Sequence, residues 1–356
     1  MEQDKQVLAN KRFSEIISDG FHLFGHNYLK IIIPFAFFII ASILVKALLL
    51  TDFNWNIISI EISQNDLLNK YNTDPFSFSS FSEDEYQIIM QYSILTIVVS
   101  MIDNIIGAVF TVISICTVSI YLYKIYMKTN TDFITDFKKS FNLNLIKVLL
   151  IIGIGVPVGF SLLWIPGMII FGFFIFLVFT FNLEGIERPV REARLIAKGS
   201  FRKIIAIFFV SAIINFIINL IYQTILIFTW SVDSSTINSW YNPISRNYGM
   251  IFLYDLVYEI PSIIFAPLFI CLLTSLFASS KAKKEIGYPY KRAYYPAREP
   301  YRQPYPPPIE SPYRTAEPYK PAPAPEKTGM YCPYCGYYIA TPRKFCQNCG
   351  ESLEFK

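Results

Sequence analysis

A chain of 356 residues that is 53% hydrophobic, 17% aromatic and only 16% charged is too apolar for an ordinary soluble protein. Its net charge of +4 is modest, but the charges are distributed unevenly along the chain. Of six cysteines, Cys116 and Cys271 stand alone inside apolar runs and read as small buried hydrophobes, while four cluster near the end.

The first thirty residues are polar, with Phe13, Ile16, Ile17, Phe21 and Phe24 at helical spacing. This pattern predicts an interfacial helix leading into a first span over about 31–50, and no cleavable signal peptide. His22 and His26 fall four apart on one face, but with no third ligand nearby they read as interfacial packing. Lys46 lies near one end of the first span, close enough to snorkel. Residues 51–85 carry seven carboxylates against Lys70, with Phe53, Trp55, Phe76, Phe78 and Phe81 among them, and read as an acidic external loop. The next apolar run, about 94–126, exceeds what one crossing needs and is expected to form one long, tilted or projecting helix that contains Asp103.

A basic stretch follows, with Lys124, Lys128, Lys138, Lys139 and Lys147, and includes an amphipathic surface helix. From Leu143 to Leu183 the single charge is Lys147, and the run is broken only at Trp164-Ile165-Pro166-Gly167. A bilayer crossing takes about 20 apolar residues, so the run predicts a membrane hairpin folded at the Pro-Gly turn. After Glu184-Gly185-Ile186-Glu187-Arg188, Pro189 and Gly199 bracket a short helix. Arg191, Arg194, Lys198 and Arg202 are spaced to give it a basic face suited to an anionic membrane surface. A fifth span over 204–229 places Asn215, Asn219 and Gln223 on one face, a polar seam expected to meet other helices. After a second external loop, 231–247, the last span over 248–279 holds Asp255 and Glu259 and is interrupted by Pro261 and Pro267.

The fold class is therefore an all-α integral membrane protein with six transmembrane helices and cytoplasmic amphipathic helices over residues 1–280. The three segments flanking the spans on one side carry four, five and six Lys or Arg, and the two long alternate loops carry one each. The positive-inside rule then places both termini in the cytoplasm and the body in the cell membrane. Asp103, Asn215, Asn219, Asp255 and Glu259 are the candidate intramembrane polar site, since embedded ionisable groups are costly and tend to mark function. No phosphate-binding loop or nucleophile motif accompanies them, and the chain is not read as an enzyme.

Residues 287–328 hold twelve prolines and eight tyrosines, including Tyr305-Pro306-Pro307-Pro308, and the segment 281–329 reads as a disordered, extended linker. Its interleaved Lys, Arg and Tyr could touch lipid headgroups or nucleic acid, and nucleic acid is the less favoured of the two. The final segment, 330–356, contains Cys332-Pro333-Tyr334-Cys335-Gly336 and Cys346-Gln347-Asn348-Cys349-Gly350. Two such pairs suit one tetrahedral zinc held by Cys332, Cys335, Cys346 and Cys349, with strands expected at Tyr337–Ile339 and Phe345. Fewer than thirty residues do not hold a fold by burial alone, so this β zinc ribbon would be structural and its four positions closed to substrate. It is expected to meet a cytoplasmic protein partner.

The order of features resembles the membrane domain found beside bacterial glycerophosphodiester phosphodiesterases. The likeness rests on the entry helix Phe13 to Phe24, Pro166 and Gly167, the aromatic run Phe171 to Phe181, Glu184, and the helix Ala193 to Gly199. It covers about residues 10–280. The chain has no room for the soluble phosphodiesterase domain, so the resemblance implies a membrane architecture and a link to lipid without hydrolysis.

Overall fold

The computed structural model describes residues 2–71, 82–230, 232–287, 330–331 and 338–339. Among these the chain is helical apart from one short strand pair. Five helices are long and apolar enough to cross a membrane, within Phe13–Asn65, Glu83–Tyr126, Leu143–Leu162, Phe201–Thr229 and Ile260–Ile286. Trp164–Thr180 and Tyr248–Tyr258 are shorter apolar helices. The protein is thus an all-α, multi-pass membrane protein by the length and composition of its helices.

Helix α1 (Glu2–Ala9) precedes α2 (Phe13–Tyr71), a single helix of 59 residues. The expected entry helix, first span and start of the acidic loop are one element. Pro34 lies inside α2, where its ring removes one backbone donor without ending the helix. Most of the expected loop is helical because α2 continues to Tyr71, and the loop's end is the start of α3 (Glu83–Tyr126), which opens on a Ser82 capping box with Glu85. Residues 72–81 between the two helices lie outside the described residues. At 1.5 Å per residue, α2 and α3 reach about 90 and 65 Å, well beyond an apolar core of about 30 Å. As anticipated, the run containing Asp103 is one long helix.

α4 (Phe133–Lys139) and α5 (Leu143–Val148) follow, then a π-helical turn, Leu149–Ile154, that runs into α6 (Gly155–Leu162). The π turn lies just ahead of Pro157, which has no N–H for a regular ladder, and such turns absorb a missing bond. The hairpin does not turn at Pro166-Gly167. Its break is Leu163, extended at φ −159 and ψ 134, while Pro166 sits in the first turn of α7 (Trp164–Phe174), where a missing N–H costs nothing. Gly167 serves close packing: a Cβ on Gly159 would stand 2.8 Å from its Cα. After α8 (Leu177–Thr180), α9 (Pro189–Lys198) runs from Pro at its start to Gly199 at its end, as expected. Then come α10 (Phe201–Thr229), α11 (Ser234–Tyr241), α12 (Tyr248–Tyr258) and α13 (Ile260–Gly287). The expected last span is therefore two helices, divided at Glu259 just before Pro261.

The core is built from the inner halves of α2 and α3, the end of the hairpin and α13. Ile16, Ile31, Phe35, Cys116, Leu122, Phe176, Phe179, Cys271 and Phe277 are all buried in it. Phe179 and Phe277 stack at 4.4 Å. Small hydroxyls tie the helices together without disturbing their backbones: Ser275 donates to the Ile16 carbonyl at 2.7 Å and Ser119 to that of Val178 at 2.6 Å. Both lone cysteines are buried and free, as their apolar contexts predict.

One end of the bundle is fastened by charge. Lys5 pairs with Glu285 at 2.6 Å, Lys124 with Asp136 at 2.6 Å, Lys11 with Asp19, and Lys284 with Glu192. These contacts gather α1, the start of α2, the end of α3, α4, α9 and the end of α13. The three Lys- and Arg-rich segments of the sequence thus meet at a single end.

The strand pair β1 (Met330–Tyr331) and β2 (Tyr338–Ile339) is antiparallel, with Met330 opposite Ile339 and Tyr331 opposite Tyr338. It belongs to a separate unit, residues 296–356. Tyr338–Ile339 thus pairs with a strand that precedes the first cysteine pair, and its expected partner at Phe345 lies outside the described residues. The four cysteines, Phe345 and the 288–329 linker lie outside the described residues.

Candidate functional site

At the end of the bundle opposite the basic segments, a cavity of about 240 Å³ opens between α2, α3, α11 and α12. Lys46, Ala47, Thr51 and Asn54 of α2 line one wall, Asp103 of α3 another, and Tyr241, Asp255, Tyr258 and Glu259 the rest. The long antiparallel packing of α2 and α3 sets Lys46 and Asp103 at the same height, and the Lys46 ammonium donates to Asp103 Oδ2 at 2.9 Å. Gly107 keeps space open for that ammonium, since a Cβ there would lie 3.3 Å from Nζ.

Asp255 and Glu259 reach the cavity because they stand one turn apart at the end of α12. The Glu259 amide closes that helix on the Asp255 carbonyl at 3.0 Å. A helix C-terminus presents carbonyls and the negative end of its dipole, so two carboxylates there favour a cation nearby. Asp255 lies within electrostatic reach of Lys46, Asp103 and Glu259. Fully ionised, the three carboxylates outnumber the single ammonium among the lining residues.

Aromatic residues roof the cavity. Trp240 packs with Ala47 and Ile251, and Tyr254 lies 5.9 Å from Trp240 and 4.5 Å from Tyr258. Burial, helped by the Asp255 carboxylate, pushes the Tyr241 phenol up to about 12, so it stays neutral and able to donate. Beside the cavity, Arg246 pairs with Asp52 at 2.6 Å and fastens the 242–247 turn to α2. Aromatic rings and an ion pair at this level suit one rim of the spanning region.

The candidate polar residues thus divide. Asp103, Asp255 and Glu259 come together, joined by Lys46, which sequence reasoning had set aside as a snorkelling end. Asn215 and Asn219 do not join them. Asn219 instead donates to the Asn215 carbonyl and side chain at 3.0 and 3.2 Å along α10, and Gln223 is exposed. The seam closes on its own helix because α10 is a peripheral helix with most of its surface outward. Lys46 would have been found by noting that a cation and Asp103 occupy adjoining spans, a pattern that favours mutual pairing.

The residues of the basic face lie at the surface. Arg191, Arg194 and Lys198 are exposed on α9, whose opposite face buries Pro189, Ala193, Ile196 and Ala197. Arg202 is exposed too, but lies past the Gly199 bend on α10. His22 and His26 stack at 4.0 Å, and no group of three metal-ligating side chains occurs among the described residues.

Comparison of this chain with protein-family models, with curated proteins and with solved structures finds no match.

Proposed function

We infer that this protein is a non-enzymatic, membrane-anchored adaptor whose helical body holds a C-terminal zinc ribbon against a cytoplasmic protein partner. The observation that carries the reading is the β1–β2 pairing. Tyr331 stands opposite Tyr338, so the two strands bracket Cys332 and Cys335 in the sequence, as a knuckle that turns two thiolates toward one ion requires. The spacing of Cys346 and Cys349 supplies the remaining two ligands of a closed, structural zinc site. Neutral thiols do not hold zinc, so binding releases protons and folds the segment at once.

In this reading the body crosses the cell membrane six times, the hairpin counting for two crossings, with both termini cytoplasmic. The end where the Lys- and Arg-rich segments meet faces inward, in keeping with the positive-inside rule. The proline- and tyrosine-rich 281–329 segment separates body and ribbon as an extended spacer. Crosslinking in cells followed by purification tests the adaptor. The full chain is expected to recover a cytoplasmic protein, and removal of residues 288–356, or replacement of Cys332 and Cys335 by Ser, is expected to abolish that recovery. Equal recovery from the truncated chain would sink the proposal.

The cavity favours a second reading, in which the bundle itself handles lipid or a small solute. Its mixed lining of ammonium, carboxylates, phenols and Asn54 suits a small polar molecule, and the resemblance to a lipid-linked membrane domain points the same way. Native mass spectrometry of the detergent-purified full chain decides it. A molecule retained in stoichiometric amount, and lost when Asp103, Asp255 and Glu259 become Asn, Asn and Gln together, places function in the bundle. No retained mass in either form removes this reading.

A further inference from the structure

Four cations of one stripe have no carboxylate partner among the described residues, unlike five lysines at the same end. At the fastened end of the bundle Lys5, Lys11, Lys124, Lys139 and Lys284 each pair with a carboxylate. Arg191, Arg194, Lys198 and Arg202 are exposed and have no ion-pair partner among the described residues. The stripe is carried on a fixed support. Thr180 donates to the Pro189 carbonyl at 2.9 Å, Glu192 pairs with Lys284, and the Ser200 and Ser280 hydroxyls meet at 2.6 Å. These bonds join both ends and the middle of the α9 segment to α8 and α13, so its outer face is held in place before any ligand arrives.

The stripe also lies where a bilayer surface would be. Arg202 and Lys203 stand immediately before Ile204, where the apolar part of α10 begins. The Arg194 guanidinium lies 6.0 Å from the Phe173 ring centroid, and Phe173 lies 5.1 Å from Phe201. Leu195 is exposed among the cations, an apolar side chain poised at the acyl boundary. Guanidinium groups bind phosphate oxygens in pairs, and successive cations three or four residues apart stand about 5–6 Å from one another on a helix. One phosphate therefore fits between two neighbours, and Arg191, Arg194 and Lys198 offer two such places along α9, with Arg202 following past the Gly199 bend.

We propose that Arg191, Arg194, Lys198 and Arg202 form a headgroup site for a phospholipid carrying two phosphates in the leaflet on the basic side. A zwitterionic headgroup neutralises its own phosphate and gains little here, and a lipid with one phosphate fills one of the two places. Such a site differs from diffuse attraction to a negative surface, which any exposed Lys would share at about 1 kcal/mol each. The proposal does not depend on the zinc ribbon or on the outer cavity.

The test is native mass spectrometry of the full chain released from nanodiscs containing equal parts of a zwitterionic phospholipid, a singly anionic one and one with two phosphates. The wild-type chain should retain the two-phosphate lipid in preference to the others. The variant R191Q/R194Q/K198Q/R202Q should lose on the order of tenfold of that preference. The variant K128Q/K138Q/K147Q/K283Q, which removes as many exposed cations from the same end, should keep it. All eight positions are exposed, so both variants are expected to fold, and an unchanged melting temperature checks this. R191K/R194K/R202K keeps the charge but not the bidentate geometry, and should fall between. Equal loss in the two Gln variants, or retention by the stripe variant, overturns a localised site. Displacement of the lipid by millimolar inorganic pyrophosphate would instead assign the stripe to a soluble anion and overturn the lipid.

Discussion

Lys46 sits 2.9 Å from Asp103 and is the one cation facing three carboxylates among the residues that line the cavity. Its side chain is 22% exposed and that of Asp103 44%, so the pair belongs between the surface and the buried regime. The two ways of breaking it are unequal. Asp103→Asn leaves the ammonium within reach of Asp255, whereas Lys46→Met leaves Asp103, Asp255 and Glu259 repelling one another. Removing a partner from a buried pair costs about 3–5 kcal/mol and from an exposed one under about 1, so an intermediate cost of about 1–3 kcal/mol is expected for Lys46→Met. Asp103→Asn should cost less, and Lys46→Met combined with Asp103→Asn should recover part of the loss. Melting temperatures of the four proteins in one detergent decide the order; equal values for the two single variants contradict it. The carboxylates were legible as costly groups in apolar runs, but their meeting was not. Side-by-side placement of residues 46, 103 and 255 is a property of helix packing, which no local pattern records.

At the scale of elements, the hairpin depends on the contact of two glycines. A Cβ on Gly159 would lie 2.8 Å from both Cα and N of Gly167, backbone atoms that do not swing aside. Gly159→Ala should force the arms apart and cost about 1–3 kcal/mol, as overpacking of a close contact does. Gly25→Ala is the matched control, because a Cβ at that position meets nothing within 4 Å. A lowered melting temperature for Gly159→Ala alone is the expected result, and equal melting of the two variants would mean that the arms are free to adjust. The same pair explains a misread signal. Pro-Gly in an apolar run looks like a turn, yet Pro is at ease in a first helical turn and Gly permits close approach, so the chain breaks at Leu163 instead. The start and end of α9 were legible because Pro189 and Gly199 act locally. The continuity of α2 through residues 51–71 was not, since polar residues there suggested a loop and the neighbouring α3 supports a helix.

For the whole molecule, the alternation of basic and acidic segments gave the correct grouping of ends, because charge is excluded from the apolar layer whatever the packing. Span length is a subtler matter, and the hairpin shows why. Its second arm, Trp164–Thr180, is among the shorter apolar helices and covers about 25 Å at 1.5 Å per residue, short of an apolar core of about 30 Å. The tip that joins the arms is apolar as well as exposed: Leu162, Leu163, Trp164 and Ile165 are 72%, 69%, 71% and 72% accessible. Four such side chains in water would forgo several kcal/mol of burial, at about 25 cal/mol per Å² of apolar surface. A short arm and an apolar tip have the same solution: the tip stops within the far interface, with Trp164 at headgroup level, where indole rings settle. With the basic end facing the cytoplasm, as proposed above, Leu163→Cys should then resist a membrane-impermeant maleimide added outside intact cells and react with a permeant one. Ser235→Cys, on the exposed face of α11, should react with both. Rapid labelling of Leu163→Cys by the impermeant reagent would show that the tip emerges into water, and the bundle would then have to tilt or thin the bilayer around its shortest arm.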